Sequence, residues 1–211
     1  IAPKFTGEFH KGVDYIGDPA VFAREFNQDI LVLKYAVEHF NLPANLKLSV
    51  HSGSDKFSLY PHIAEALQRH DAGVHLKTAG TTWLEEVIGL AAADGDGLAM
   101  AKRIYREARP RLEELCAPYA TVVSIDEARL PAPDTVDGWS AEQFVGALQH
   151  EQAHPLFNDV FRQFMHVAFR IAAEIGTEYT AALEDHAATI GKHVTGNLLD
   201  RHLKPLFGFA G

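Results

Sequence analysis

Three short apolar segments, each followed by a polar loop and then by a helical pattern, constrain the fold of this chain more than any other feature. They lie at residues 1–9, 46–51 and 73–78. Consecutive βα units of this kind build a parallel sheet with right-handed crossovers. Because three strands cannot close a barrel, the sequence predicts an α/β fold that is part of a (β/α)8 TIM-type barrel. An open doubly wound sheet is the alternative.

The change in periodicity along the chain predicts a division into two parts. We expect residues 1–128 to form βα units of the C-terminal part of a barrel, and residues 129–211 to form a helical extension that packs on it. Local signals for helix starts within this scheme are an N-cap at Asp18 before Pro19, a capping box at Thr82–Glu85 and a second capping box at Ser140–Gln143.

The composition narrows the class of partner. A formal net charge of −9 over 211 residues argues against a nucleic-acid partner that is bound through its phosphates. No apolar run approaches the roughly 20 residues that span a membrane. The single cysteine, Cys116, fits a reducing compartment. We therefore expect a cytoplasmic protein with no nucleic-acid partner and no membrane partner.

The chain opens directly on a strand-like segment at Ile1. This start predicts a C-terminal piece of a longer enzyme, whose N-terminal half would be a partner of this chain. A homo-oligomer is also possible, because the helical tail suits either an oligomer interface or a cap on the barrel.

Two histidines at the ends of adjacent predicted strands are the candidate metal ligands. Imidazoles at His51 and His75 can converge on one divalent ion from these positions. Polar neighbours could supply the hydrogen bonds that orient each ring. Two histidine ligands do not select among Zn, Mn, Ni, Co and Fe. The alternative is that each histidine packs against the backbone without a metal.

Charged side chains near the same strand ends are candidates for proton transfer and substrate binding. Glu8 could act as a general acid or base if it is partly desolvated, or it could be a solvated loop residue. Lys4 and Lys77 could face a substrate or extend into solvent. Segment 52–56 has the character of an anion cradle, but it lacks the spacing of a nucleotide-binding P-loop.

The helical tail holds further histidines without a metal-binding spacing. His150 and His154 lie four residues apart, but Pro155 is beside them and the pattern H-E-x-x-H is absent. His166 lies close to the apolar stripe that includes Phe164, so we expect it either to flank a core or to reach the mouth of the barrel.

Four segments of the chain resemble the tagaturonate epimerase family: residues 1–18, 48–57, 74–81 and 197–206. Together they extend over essentially the whole chain. The resemblance implies a metal-dependent isomerase of hexuronate breakdown that interconverts D-tagaturonate and D-fructuronate. It also implies that this chain is the C-terminal half of a family-length protein.

The resemblance implies roles for individual residues. By motif position, Glu8 would be the acid/base residue, and His51 and His75 would be metal ligands. A further ligand and a second acid/base group would lie in the N-terminal half. The substrate would be a small sugar acid. Side chains that we expect to bind its carboxylate and hydroxyl groups are Lys4, Ser52, Ser54, Asp55, Lys56, Lys77 and Thr78.

The chemistry of this substrate pair favours one mechanism. The inverted carbinol carbon is β to the ketone, so enolisation does not invert it, whereas retro-aldol cleavage, rotation of the aldehyde and re-addition would. Transient oxidation by a bound nicotinamide is the rival mechanism, although the chain lacks a G-x-G-x-x-G fingerprint. Two other function classes stay open: a metal-dependent aldolase or sugar isomerase, and a non-catalytic sugar-acid binding domain.

Overall fold

Helices dominate the computed structural model, which describes residues 1–50 and 55–208. The regular elements in chain order are α1 (Pro19–His39), β1 (Leu48–Ser49), α2 (Tyr60–His70), β2 (Val74–His75), α3 (Ala79–Ala92), α4 (Gly95–Ala108), α5 (Leu112–Cys116), α6 (Pro133–Asp137), α7 (Ala141–Leu148), α8 (Asp159–Val167), α9 (Phe169–Ile175), α10 (Thr177–Asp185), α11 (Ala187–Thr195), a π-helical segment (Gly196–Leu203) and α12 (Lys204–Phe207). Single 3-10 turns lie at Phe57–Leu59, Arg109–Arg111, Ala117–Tyr119 and Glu127–Arg129.

The prediction of an α/β fold that is part of a (β/α)8 barrel is wrong. In the described part of the chain, the sheet consists of β1 and β2 alone, which are parallel with Leu48 opposite Val74. These strands lie inside the predicted segments 46–51 and 73–78 but are only two residues long. Two strands of this length do not build a barrel wall.

The segment that was predicted as the first strand pairs with the residues that follow it in the chain. The amide of Glu8 donates to the carbonyl of Ile16 at 2.9 Å, and the amide of Ile16 donates back at 3.2 Å. Ile1 lies beside the sheet, where its carbonyl accepts from the amide of Ser49 at 2.7 Å. A local antiparallel turn therefore takes the backbone groups that a barrel strand would have paired with its neighbours.

Helix α1 begins where the sequence predicts. The side chain of Asp18 accepts a hydrogen bond from the amide of Ala20 at 2.8 Å, and Pro19 occupies the first helical position. Both features stabilise the start of a helix, because they satisfy or remove amide groups that have no partner within it. The buried face of α1 consists of Phe22, Phe26, Ile30 and Leu33.

The two predicted capping boxes have different outcomes. At α7 the box is confirmed: Ser140 accepts from the amide of Gln143 at 3.2 Å, and the Gln143 side chain accepts from the amide of Ser140 at 2.8 Å. The box at Thr82 is wrong, because α3 already begins at Ala79. Glu85 lies on the buried face of α3, so its side chain is in the interior and does not cap the helix.

Apolar side chains form two clusters. The first joins α1, α2 and the two strands, and the second joins helices α3 to α11. Leu206 in α12 returns to the first cluster, so the C-terminal end of the described chain packs against its beginning. The division between residues 128 and 129 stays a prediction. Among the helices described, none is long and apolar enough to cross a membrane.

Candidate functional site

A tight turn places the Glu8 carboxylate at the surface. Gly7 has φ +94°, and a Cβ there would lie only 2.4 Å from the hydroxyl oxygen of Tyr15, so both the backbone and the space favour glycine. The Tyr15 hydroxyl donates to the carbonyl of Thr6 at 2.9 Å. With its backbone held in this way, Glu8 has a side chain that is 60% exposed. Its carboxylate is therefore accessible, as that of a general acid or base has to be.

His10 lies beside this carboxylate. Its Nε2 atom is 3.2 Å from Oε2 of Glu8, and the imidazole is much less exposed than the carboxylate. Glu8 and His10 line two neighbouring cavities of about 510 and 320 Å³. Lys4 lines the larger cavity, so the structure brings together two predicted site residues, Lys4 and Glu8.

Of the predicted metal ligands, His75 lies within the described residues and His51 does not. The His75 side chain is exposed at the end of β2, and its Nδ1 atom is 3.4 Å from the hydroxyl of Ser49. The predicted substrate-binding residues Ser52 and Ser54 also lie outside the described residues. Within residues 1–50 and 55–208, no group of three or more His, Cys, Asp or Glu side chains is arranged to hold a metal.

Two further predicted residues follow β2. Lys77 is exposed, and Thr78 is partly buried directly before α3. They lie two and three residues after His75 in the chain. Whether these residues bind substrate stays a prediction.

Asp55 has different surroundings, because its carboxylate is buried in a polar cluster. The guanidinium of Arg162 forms an ion pair with it, and the hydroxyl of Thr81 donates to it at 3.2 Å. Ring nitrogens of His150 and His202 lie 3.2 and 3.6 Å from its oxygens. Burial raises the pKa of Asp55, but the charge of Arg162 and the two imidazoles outweigh burial and hold this pKa well below its usual range.

Lys56 is fully buried and holds a loop. Its ammonium donates to the carbonyl of His10 at 2.7 Å and to the carbonyl of Val13. Burial lowers the pKa of Lys56 to about 8, against the charges of Asp55 and Asp14, which raise it. Two donors of this ammonium are therefore directed at the backbone.

Arg162 connects this loop to the second apolar cluster. Its guanidinium donates to the carbonyl of Gly12 and to the carbonyl of Leu148, each at 2.5 Å, in addition to Asp55. Lys56 and Arg162 thus bind three carbonyl groups of residues 10–13. The two buried cations hold the segment that follows Glu8 against the body of the protein.

Comparison with known proteins identifies the family. A family model described as tagaturonate epimerase (UxaE) matches residues 1–204. The chain belongs to the tagaturonate epimerase family. It is 34% identical over 171 residues to the tagaturonate/fructuronate epimerase of Thermotoga maritima, a match that covers 80% of this chain and 30% of that protein.

Solved structures of another tagaturonate epimerase family member share the fold. The native crystal structure of the fructuronate-tagaturonate epimerase UxaE from Cohnella laeviribosi aligns with a TM-score of 0.73 and 27% identity, over 97% of this chain and 38% of that one. The same enzyme with one glycerol bound aligns with a TM-score of 0.70 and 28% identity, over the same shares. This chain therefore spans about a third of the length of the relatives it matches.

In this member of the tagaturonate epimerase family, sequence reasoning missed the polar cluster. Arg162 lies between Phe161 and Phe164 on a helix whose side chains are almost all buried. The position of Arg162 in the sequence could have indicated the cluster, since an arginine within an apolar stripe needs buried hydrogen-bond acceptors. His10, the neighbour of Glu8, was missed because two residues of spacing in a loop do not show that two side chains meet.

A second buried acid was also missed. Glu85 in α3 accepts a hydrogen bond from the Asn197 amide at 3.0 Å and is almost fully buried. Burial raises the pKa of Glu85 to about 7, against the lowering effect of Arg162. Because the pattern Thr82–Glu85 predicted a capping role for Glu85, the sequence did not indicate that this carboxyl group is buried.

Proposed function

We propose that this protein takes part in the epimerisation of D-tagaturonate and D-fructuronate in hexuronate breakdown. The observation that carries the proposal is the match of the tagaturonate epimerase family model to residues 1–204. The geometry supports it with an accessible carboxylate, Glu8, that contacts His10 and lines two cavities.

Glu8 is proposed as the group that moves the proton of the substrate hydroxyl. Removal of this proton allows the bond between the carbinol carbon and the carbon next to the ketone to break. The carbinol carbon becomes an aldehyde, and the electron pair of the broken bond enters an enediolate. Rotation of the aldehyde and re-addition on its other face restore the bond with inverted configuration, and Glu8 returns the proton. No external oxidant or reductant is consumed.

His10 is proposed to orient Glu8 during this transfer. Its Nε2 atom is within 3.2 Å of the carboxylate, and its backbone carbonyl is bound by the buried Lys56. A base that is held at one position loses less conformational freedom when the substrate binds. Lys4 lines the larger of the two cavities and supplies a positive charge for the substrate carboxylate.

His51 and His75 are proposed to hold a divalent metal ion, for which Zn, Mn, Ni, Co and Fe are all candidates. The surroundings of His75 fit this role, since an exposed imidazole has its Nδ1 atom near the Ser49 hydroxyl, which is the type of outer contact that orients metal-binding histidines. A further ligand is proposed to come from the N-terminal half of a family-length protein. When bound, the ion would act as a Lewis acid at the ketone and a neighbouring hydroxyl.

The role of Glu8 is tested with Glu8→Gln in protein expressed from the complete gene. We expect epimerisation of tagaturonate to fall by about 10²- to 10⁴-fold, because the amide cannot take up the proton. Thermal stability and metal content should not change, since Glu8 is exposed. Glu142→Gln, at another exposed position, is the matched control. A full rate in Glu8→Gln would refute the proposed mechanism.

The metal proposal is tested by elemental analysis of the same purified protein. We expect bound divalent metal in the wild type and its loss in His75→Ala. His39→Ala is the control, because His39 is an exposed histidine on α1 that stacks against Tyr35. Equal metal content in all three proteins would exclude His75 as a ligand.

A further inference from the structure

One irregular segment lines both of the cavities beside Glu8. Residues 121–126, the wall segment, lie between two 3-10 turns and belong to no helix or strand. The first two residues of the wall segment line the larger cavity, whereas Ser124 and Asp126 line the smaller one. Because Glu8 lines the same two cavities, the place of the wall segment limits the room that a substrate has beside the Glu8 carboxylate.

The side chain of Gln163 binds the backbone of the wall segment at Ser124. Its Oε1 atom accepts from the amide of Ser124 at 2.9 Å, and its Nε2 atom donates to the carbonyl of the same residue at 3.2 Å. Gln163 is only 3% exposed, although it lines the smaller cavity. Because each polar atom of its amide already binds the backbone, Gln163 is suited to hold the wall segment rather than to bind a substrate.

Other contacts hold the wall segment without fixing Ser124. The amide of Lys11 donates to the carbonyl of Val122 at 2.7 Å, which fixes the first half of the segment. In the second half, Val123 and Ile125 pack against the second apolar cluster. Apolar packing is not directional, so it keeps these side chains inside but does not define the place of the backbone between them. The two hydrogen bonds from Gln163 do so.

Two consecutive residues of α8 hold the two loops at the smaller cavity. The guanidinium of Arg162 binds the carbonyl of Gly12, next to Val13, and Gln163 binds Ser124. Val13 and Ser124 both line this cavity. Helix α8 therefore holds the loop that follows Glu8 and the wall segment at defined places relative to each other.

We propose that Gln163 is a positioning residue for the substrate, which sets the place of the wall segment through Ser124. The inference rests on the proposed function, since it takes the ligand of the two cavities to be a uronate. When the wall segment is held before binding, the substrate does not have to order it, and binding is stronger for that reason. Loss of the two hydrogen bonds should therefore weaken binding more than it slows the chemical step.

Binding of D-fructuronate to protein from the complete gene tests this role. In Gln163→Leu we expect the dissociation constant and the KM to rise by about tenfold, as for loss of a hydrogen bond, while kcat changes by less than about threefold. Gln143→Leu is the control, because Gln143 also binds a backbone amide, that of Ser140, but does so at the start of α7. Unchanged binding in Gln163→Leu, or an equal loss in Gln143→Leu, would overturn the inference.

Gln163→Glu decides the question if the leucine variant does not fold. The introduced carboxylate can accept from the Ser124 amide but cannot donate to the Ser124 carbonyl, whereas the protonated acid can do both. Burial favours the protonated form. We therefore expect fructuronate binding to be weakened at pH 8 and to recover towards the wild-type value at pH 5.

Each affinity of Gln163→Glu is compared with that of the wild type at the same pH, because the cavity has titratable groups of its own. The charged and titratable residues that line the smaller cavity are Glu8, His10, Asp14, Asp126, Arg129 and Asp159. These groups are common to both proteins, so the ratio of the two affinities reports the introduced carboxyl group. An equal deficit at pH 5 and pH 8 would overturn the inference.

Epimerisation is measured separately from binding. A wild type that binds fructuronate without epimerising it would refute the proposed function, and the binding data would still decide the role of Gln163. Epimerisation by the wild type, with unchanged fructuronate binding in both Gln163 variants, would overturn the inference alone. A wild type that does not bind fructuronate would overturn both.

Discussion

Two groups of polar residues near the strands have opposite surroundings. Glu8 and His75 are exposed, whereas Asp55 and Lys56 are buried and bound by other parts of the protein. All four were candidates for chemistry because each follows a strand-like segment. The difference teaches that polar residues behind a strand can have two fates: some are exposed to solvent, and others are buried and hold a loop in place.

The buried group connects the two apolar clusters. Asp55 follows β1 in the first cluster, while Arg162 belongs to α8 in the second. The ion pair between Asp55 and Arg162, which is shielded from water, thus connects the first apolar cluster to the second. Removing a partner from the buried group should therefore change stability, and removing a residue from the exposed group should change activity only.

The largest effect on stability is expected for Arg162→Leu. The change leaves the Asp55 carboxylate buried without its cation, and the carbonyls of Gly12 and Leu148 lose their donor. Loss of one partner of a buried ion pair costs about 3–5 kcal/mol. Denaturant unfolding measures this loss as a decrease in the free energy of unfolding.

Arg69→Leu is the control for the Arg162 experiment. Arg69 forms an ion pair with Glu65, and both side chains are more than half exposed. Exposed pairs contribute little, so the free energy of unfolding should hardly change. If Arg69→Leu and Arg162→Leu lower the free energy of unfolding equally, then burial does not explain the difference between the buried and the exposed polar residues.

A smaller effect, with a defined pH dependence, is expected for Glu85→Gln. The pKa of Glu85 is raised to about 7 in the folded protein, so the folded state binds more protons than the unfolded state between about pH 4.5 and 7. The wild type therefore loses stability as the pH rises through this range. The glutamine variant lacks this loss, and its advantage at pH 8 over pH 5 should reach up to about 3 kcal/mol.

Unfolding curves at pH 5 and pH 8 measure this difference. Glu142→Gln, which changes an exposed carboxyl group, should follow the wild type at both values. If Glu85→Gln also runs parallel to the wild type, then the Glu85 carboxyl does not gain its proton on folding, and the buried environment assigned to it is incorrect.

Capping signals in the sequence correctly predicted the start of a helix where the cap itself determines that start. Asp18 and Ser140 cap their helices as expected, since each cap is completed within two or three residues. The signal at Thr82 failed, because the same four residues lie inside a helix whose buried face has to accommodate Glu85. A capping pattern cannot show whether tertiary packing extends the helix past it.

The barrel prediction failed for a related reason. Residues 1–9 have the pattern of a strand, but the turn at residues 11–13 returns the backbone after Glu8 to Ile16. Strand pairing depends on a neighbour that is distant in sequence, and periodicity does not identify that neighbour. The polar cluster was hidden in the same way, because Asp55 and Arg162 meet across 107 residues.

The smallest change in stability is expected for Lys4→Ala. Lys4 is exposed at the larger cavity beside Glu8, so the free energy of unfolding should stay within about 0.5 kcal/mol of the wild type. If its charge attracts the substrate carboxylate, the KM for tagaturonate should rise while the KM for the neutral ketose tagatose does not.

Lys56→Met is the counterpart from the buried group, since it removes the donor from the carbonyls of His10 and Val13 and should destabilise the protein. A loss of stability in Lys4→Ala as large as that in Lys56→Met would place Lys4 among the residues that hold the loop.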